Sequence, residues 1–161
     1  MAAPIAVRRL NHAVLFVRDL DRSVRFYTTV FGFEEIGRMG NQMAFLRARG
    51  SDNHHDLGLA AVGPNAPRPP RGSTGLYHLA WEVGSIDDLA AARETLLAAG
   101  ALVGESDHLT SKSLYGVDPD GNEFEIMWAV PREAWPEDGQ ATVAPLDLER
   151  ERARFGSATR G

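Results

Sequence analysis

Cysteine is absent from the 161-residue chain. That excludes disulfides and thiolate metal sites, and leaves histidine and carboxylates as the only strong metal ligands. A basic excess is missing too: the net charge is −5 and no run of lysine or arginine offsets it. The electrostatic footprint of a nucleic-acid binder is therefore not there. Long apolar runs are also missing, both before Arg8 and Arg9 and later, so neither a signal peptide nor a membrane span is expected. The expected location is the cytoplasm. Length and composition suit one compact unit, or two small ones sharing a core.

What is present is a repeat. Leu10-Asn11-His12-Ala13-Val14-Leu15-Phe16-Val17 and Leu76-Tyr77-His78-Leu79-Ala80-Trp81-Glu82-Val83 align without a gap. Each reads as a strand, with His12, Val14 and Phe16 on one face of the first and Leu15 and Val17 on the other. Asp19 caps a helix carrying Val24, Tyr27 and Phe31, which Gly32 ends. Strands are expected near 33–39, 42–47 and 54–62. After the second repeat strand, Ser85 with Asp88 makes an approximate capping box for a helix through Leu89, Arg93, Leu96 and Leu97 to Gly100. Strands are then expected near 102–105, 113–117 and 123–128.

The fold class is thus α+β, two tandem βαβββ modules forming a shared, curved half-barrel cavity. Module one spans 8–62, a proline- and glycine-rich linker 63–75, module two 76–130 and a C-terminal tail 131–161, all within a single domain. The tail is expected to hold a short helix at 146–155 and a disordered end, and to cover a module edge or a neighbouring subunit.

Asp118-Pro119-Asp120-Gly121-Asn122 has the chemistry of a tight hairpin. Beyond it Phe124, Ile126 and Trp128 share one strand face, and Glu125 and Met127 the other. Glu125 therefore sits in an apolar strand with no basic neighbour. Either it is an exposed strand glutamate, or it points into a cavity where a metal or a proton would make its burial tolerable. His12 and His78 occupy the same position in each module. If the modules meet edge to edge, His12, His78 and Glu125 converge as two imidazoles and one carboxylate, the facial set that suits Fe(II) or a similar divalent ion. His55, sharing a face with Leu57 and Leu59 on the expected strand, would be a fourth ligand or an acid–base group. His108 and Tyr115 could both face the same pocket. Phe16, Tyr77, Trp81 and Met127 are candidates to line it.

These residues resemble the vicinal oxygen chelate superfamily, which includes glyoxalase I, antibiotic resistance proteins and the type I extradiol ring-cleavage dioxygenases. The run from Asp107 to Glu125 is similar to the Asp-His-Gly-Val-Ser…Leu-Tyr…Asp-Pro-Asp-Gly-Asn…Glu signature of catechol 2,3-dioxygenase-like enzymes. Leu109 and Thr110 stand where that signature has Gly-Val. The resemblance implies Fe(II), or Mn, Zn or Ni in its place, bound by His12, His78 and Glu125. It implies His55 as the acid–base histidine, Tyr115 as the tyrosine that holds a substrate oxygen, and His108 as a loop histidine near the ring. The implied partners are a small aromatic substrate and O2, with a homodimer as the expected assembly. Alternatives with the same fold are a glyoxalase-like lyase or isomerase and a metal-free small-molecule binder.

Overall fold

The computed structural model describes residues 4–70, 72–136 and 142–156. The chain divides into two compact units, 1–67 and 68–161. The first contains β1 (Ala13–Val17), α1 (Leu20–Thr29), β2 (Glu34–Met39), β3 (Met43–Arg47) and β4 (Leu57–Ala61). The second contains β5 (His78–Glu82), α2 (Ile86–Ala98), β6 (Leu102–Asp107), β7 (Ser111–Val117), β8 (Glu123–Ala129) and α3 (Leu148–Phe155). The two βαβββ modules expected from the repeat are present. Each forms an open four-stranded sheet, in the order β1-β4-β3-β2 and β5-β8-β7-β6.

In both sheets the first and last strands of the module pair in parallel, and the remaining pairs are antiparallel. Alternation then gives every sheet one helix-side face. In the first unit Leu15, Val17, Ala44, Leu46, Leu57 and Leu59 are buried, as are Leu20, Val24 and Tyr27 of α1. In the second, Leu114, Phe124, Ile126 and Trp128 are buried with Ile86, Leu89 and Leu96 of α2. Each buried Leu, Val, Ile or Phe side chain among them contributes about 1.5–3 kcal/mol. On the face of the first sheet opposite α1, Val14 and Phe16 are exposed.

Both helix starts follow the expected chemistry. Asp19 Oδ1 accepts from Arg22 N at 2.9 Å, and Ser85 Oγ accepts from Asp88 N at 3.0 Å while donating to Asp88 Oδ2 at 2.7 Å. Helix α1 ends at Thr29, so Phe31 packs from the following turn, its ring 5.1 Å from Tyr27 and 5.4 Å from Phe33. Helix α3 starts two residues later than expected because Asp147 caps it, accepting from Arg150 N at 3.1 Å. The expected disordered end, beyond Gly156, lies outside the described residues. Among the described residues no helix is long and apolar enough to cross a membrane.

The hairpin at Asp118 forms as its composition requires. Gly121 N donates to Asp118 O at 2.9 Å with Gly121 at φ +84°, and the Asp118 carboxylate accepts from Asp120 N, Asn122 N and Asn122 Nδ2. This closure sets the β7–β8 register. The β6–β7 turn is less comfortable. Leu109 has φ +64°, a left-handed conformation that costs an L-residue with a side chain about 1–2 kcal/mol. Leu109→Gly is therefore expected to raise stability by about 1 kcal/mol, part of the relief being offset by glycine's greater freedom when unfolded. Urea denaturation would measure it, and an unchanged or lower midpoint would refute the strain.

Candidate active site: histidine clusters and a buried carboxylate

In the second unit the site is built by register. Ala80 pairs with Glu125 across β5–β8, and Tyr115 pairs with Glu125 across β7–β8. Cross-strand partners share a face, so Glu125 and Tyr115 stand together on the side opposite Phe124 and Ile126, and His78 joins them by alternation from Ala80. His78 Nε2 lies 3.3 Å from Glu125 Oε2. The Tyr115 hydroxyl lies 3.4 Å from Glu125 Oε1 and 2.8 Å from His108 Nε2. His108 reaches it from the turn after β6, and its Nδ1 is 2.8 Å from the Thr142 carbonyl. Four of the six residues singled out in the sequence thus form one connected chain.

The Glu125 side chain is only 13% exposed. Among the described residues it has no lysine or arginine partner, only His78 and Tyr115. Burial, and then the Glu125 carboxylate, hold the Tyr115 pKa above its ordinary value, so the phenol remains protonated. His78 Nδ1 is buried without a hydrogen-bond partner, so the imidazole keeps a polar nitrogen to satisfy. A carboxylate lacking a counter-cation beside an imidazole is the donor chemistry a divalent metal takes.

The first unit carries the other two residues. His12 lies one residue before β1, not within it, and its Nδ1 is 2.9 Å from Asn11 Oδ1. Since that oxygen can only accept, Nδ1 carries the proton and Nε2 keeps the lone pair, as a metal-binding imidazole requires. The His55 ring sits 4.5 Å from that of His12 and 5.0 Å from Phe45.

Its route there corrects the expectation. Strand β4 begins at Leu57, and Leu57 and Leu59 are fully buried on the helix side. His55 belongs instead to the preceding turn and meets Phe45, whose pairing with Gly58 places it on Val14's face. Asp56 holds that turn, accepting from Ala48 N, Ser51 Oγ and Asn53 Nδ2 at 2.7–2.8 Å. Burial lowers the His55 pKa, helped by His12 and His54 and opposed by Asp56, which favours a neutral ring. Trp81 also moves: paired with the buried Ile126, it belongs to the core face and not to a pocket wall. His12 and the His78–Glu125 pair lie in different units. Among the described residues, neither unit by itself gathers three metal-binding side chains.

Sequence reasoning missed Asn11, Asp56 and Thr142. Asn11 and Asp56 adjoin named histidines, and that adjacency was a usable signal. Thr142 acts through its backbone carbonyl, which no side-chain pattern reports.

The Asp56 network has a pH consequence. Burial by itself would raise its pKa, but the three donors outweigh burial and hold the carboxyl below its ordinary value. A depressed carboxyl contributes stability that is complete above the unfolded value of about 3.9 and is lost as pH falls through the lower folded one. Asp56→Asn is expected to flatten the loss of stability below about pH 4, measured by urea midpoints at each pH. A slope identical to that of the unaltered protein would rule this out.

Known proteins share this architecture. The glyoxalase/bleomycin resistance protein/dioxygenase superfamily model matches residues 9–126. The catechol-2,3-dioxygenase of Bacillus subtilis (strain 168) is 32% identical over 145 residues, 87% of this chain but 50% of that protein. The chain thus spans about half the length of that relative. The metallothiol transferase FosB of Lysinibacillus sphaericus is 30% identical over 126 residues, covering 76% of this chain and 83% of that protein. A glyoxylase/bleomycin resistance protein/dioxygenase domain from Frankia sp. EAN1pec superposes with a TM-score of 0.64 at 27% identity, over 79% of this chain and 96% of that one.

Proposed function

The chain belongs to the glyoxalase/bleomycin resistance protein/dioxygenase superfamily, and from that premise we propose that it is an extradiol ring-cleavage dioxygenase. The proposed reaction opens a catechol-type diol with O2 to a semialdehyde in the cytoplasm, with Fe(II) as the metal and the chain as a homodimer. Support comes chiefly from one observation: Glu125, lacking a lysine or arginine partner among the described residues, stands between His78 and the Tyr115–His108 pair.

His78, Glu125 and His12 would hold the metal, His12 through the Nε2 that its bond to Asn11 leaves available. When bound, the metal supplies adjacent coordination positions and the redox capacity that lets a diol react with O2. Tyr115, a neutral phenol, hydrogen-bonds a substrate hydroxyl. His55, favoured as the neutral ring, takes a proton from the diol and returns it later, the work of a general acid–base group. Phe16 and Met127, each on the side of its sheet opposite the helix, offer apolar contact to an aromatic ring.

A second reading has its own support. FosB matches over most of its length, whereas the dioxygenase matches over half. That favours metal-dependent transferase or lyase chemistry on a single pair of modules.

Anaerobic reconstitution with Fe(II), followed by catechol and air, separates the two. Yellow semialdehyde with Fe(II), and none with Zn(II) or Ni(II), is the expected result. A tightly bound metal with no ring cleavage would overturn the dioxygenase reading in favour of the second. No bound metal at all would overturn both.

A further inference from the structure

The C-terminal segment grips the β6–β7 hairpin at three points. Ala144 and Asp107 exchange both backbone hydrogen bonds, at 2.8 and 3.0 Å. Thr142 O lies 2.8 Å from His108 Nδ1. Glu151 of α3, 2% exposed, reaches Lys112 Nζ at 3.4 Å, and Lys112 in turn reaches Asp107 Oδ1 at 2.5 Å. Asp107 Oδ1 also accepts from Leu109 N at 2.8 Å, which ties this ionic network to the turn carrying His108. Phe155 packs its ring 5.3 Å from Trp128, and Arg152 pairs with Asp87 at 3.0 Å. Lys112 is the chain's sole lysine, and it is buried.

A carbonyl oxygen only accepts, so the contact at Thr142 requires the proton on His108 Nδ1. In the neutral ring Nε2 is then an acceptor, and the Tyr115 hydroxyl, 2.8 Å away, donates to it. The phenol proton points at His108 Nε2, the nearer acceptor at 2.8 Å, and not at Glu125 Oε1, 3.4 Å away, and the oxygen's lone pairs are left for another donor. Turning His108 to its other tautomer would reverse this bond and send the phenol proton elsewhere.

We propose that residues 142–156 are a positioning element of the site: the Thr142 carbonyl fixes the Nδ1–H tautomer of His108, which in turn aims the Tyr115 hydroxyl. Its catalytic consequence rests on the function proposed above: Tyr115 would meet a substrate hydroxyl as an acceptor. The tautomer itself stands independently of any reaction.

The test uses the full chain labelled with 15N-histidine, the His108 resonances being assigned by their loss in His108→Gln. Neutral His108 is expected as the Nδ1–H form in the unaltered protein. Ala144→Pro removes one donor of the bridge and should convert it to the Nε2–H form. With Fe(II) and catechol, the same variant should lose about tenfold in kcat with little change in KM, the effect of a misaligned and not a missing group. Glu151→Gln, isosteric and milder, covers the case in which the proline variant does not fold. It should shift the tautomer in the same direction and raise amine-reagent labelling at Lys112, which is otherwise protected. An Nε2–H ring in the unaltered protein would overturn the proposal. So would an unchanged ring in a variant whose Lys112 has become reactive. The expected tautomer in a protein that cleaves no ring would instead uphold the positioning role and remove the dioxygenase reading.

Discussion

Glu125→Ala is expected to bring bound metal from about one per chain to nearly none, and to abolish turnover with it. The physical reason lies in the surroundings of the carboxylate. It is mostly buried on an apolar strand, and among the described residues its polar neighbours are an imidazole and a phenol. An isolated carboxylate in such a place is costly unless a cation or proton meets it. Removing it takes away the only anionic donor of the proposed set, and neutral imidazoles alone hold a divalent ion more weakly. The fold should survive, because Phe124, Ile126 and Trp128 pack on the other face of the strand. Metal analysis after gel filtration, with circular dichroism as the folding control, decides it. If Glu125→Ala retains stoichiometric metal, the ligand assignment is wrong.

His55→Ala should have the opposite signature. Metal content is expected to stay near that of the unaltered protein, while kcat falls by about 10²–10⁴, the range for loss of a positioned general acid–base group. The ring contacts His12 and Phe45 without lying between His12 and its Asn11 partner. Its removal therefore leaves the His12 tautomer intact. Loss of metal along with activity would make His55 a fourth ligand and favour the transferase or lyase reading. Steady-state kinetics beside metal analysis of one preparation distinguishes these outcomes.

Much of the architecture was legible because it rests on local, periodic signals. Phe124, Ile126 and Trp128 bury as their alternation demands, and Ser85 and Asp19 cap the helices where their chemistry places them. The Asp118 hairpin is a self-contained bonding unit. Alternation misled at His55 because it was extended past the point where pairing begins. Asp56 bends the chain there, and a turn carries no two-residue period. Trp81, named among the residues to line the pocket, stands three residues from His78, so alternation sets it on the other face, where its partner across the sheet is the core residue Ile126.

The sequence by itself determined the two modules, the pairing of His12 with His78 as repeat equivalents and the isolation of Glu125 among apolar neighbours. These depend on residue type and spacing within single strands and turns. Only the tertiary structure decided that Tyr115 stands opposite Glu125, that His108 closes on Tyr115 and that Thr142 holds His108 from the far end of the chain. Strand register joins residues distant in sequence, and a backbone carbonyl, which every residue carries, acquires a role only when folding aims it at a particular ring.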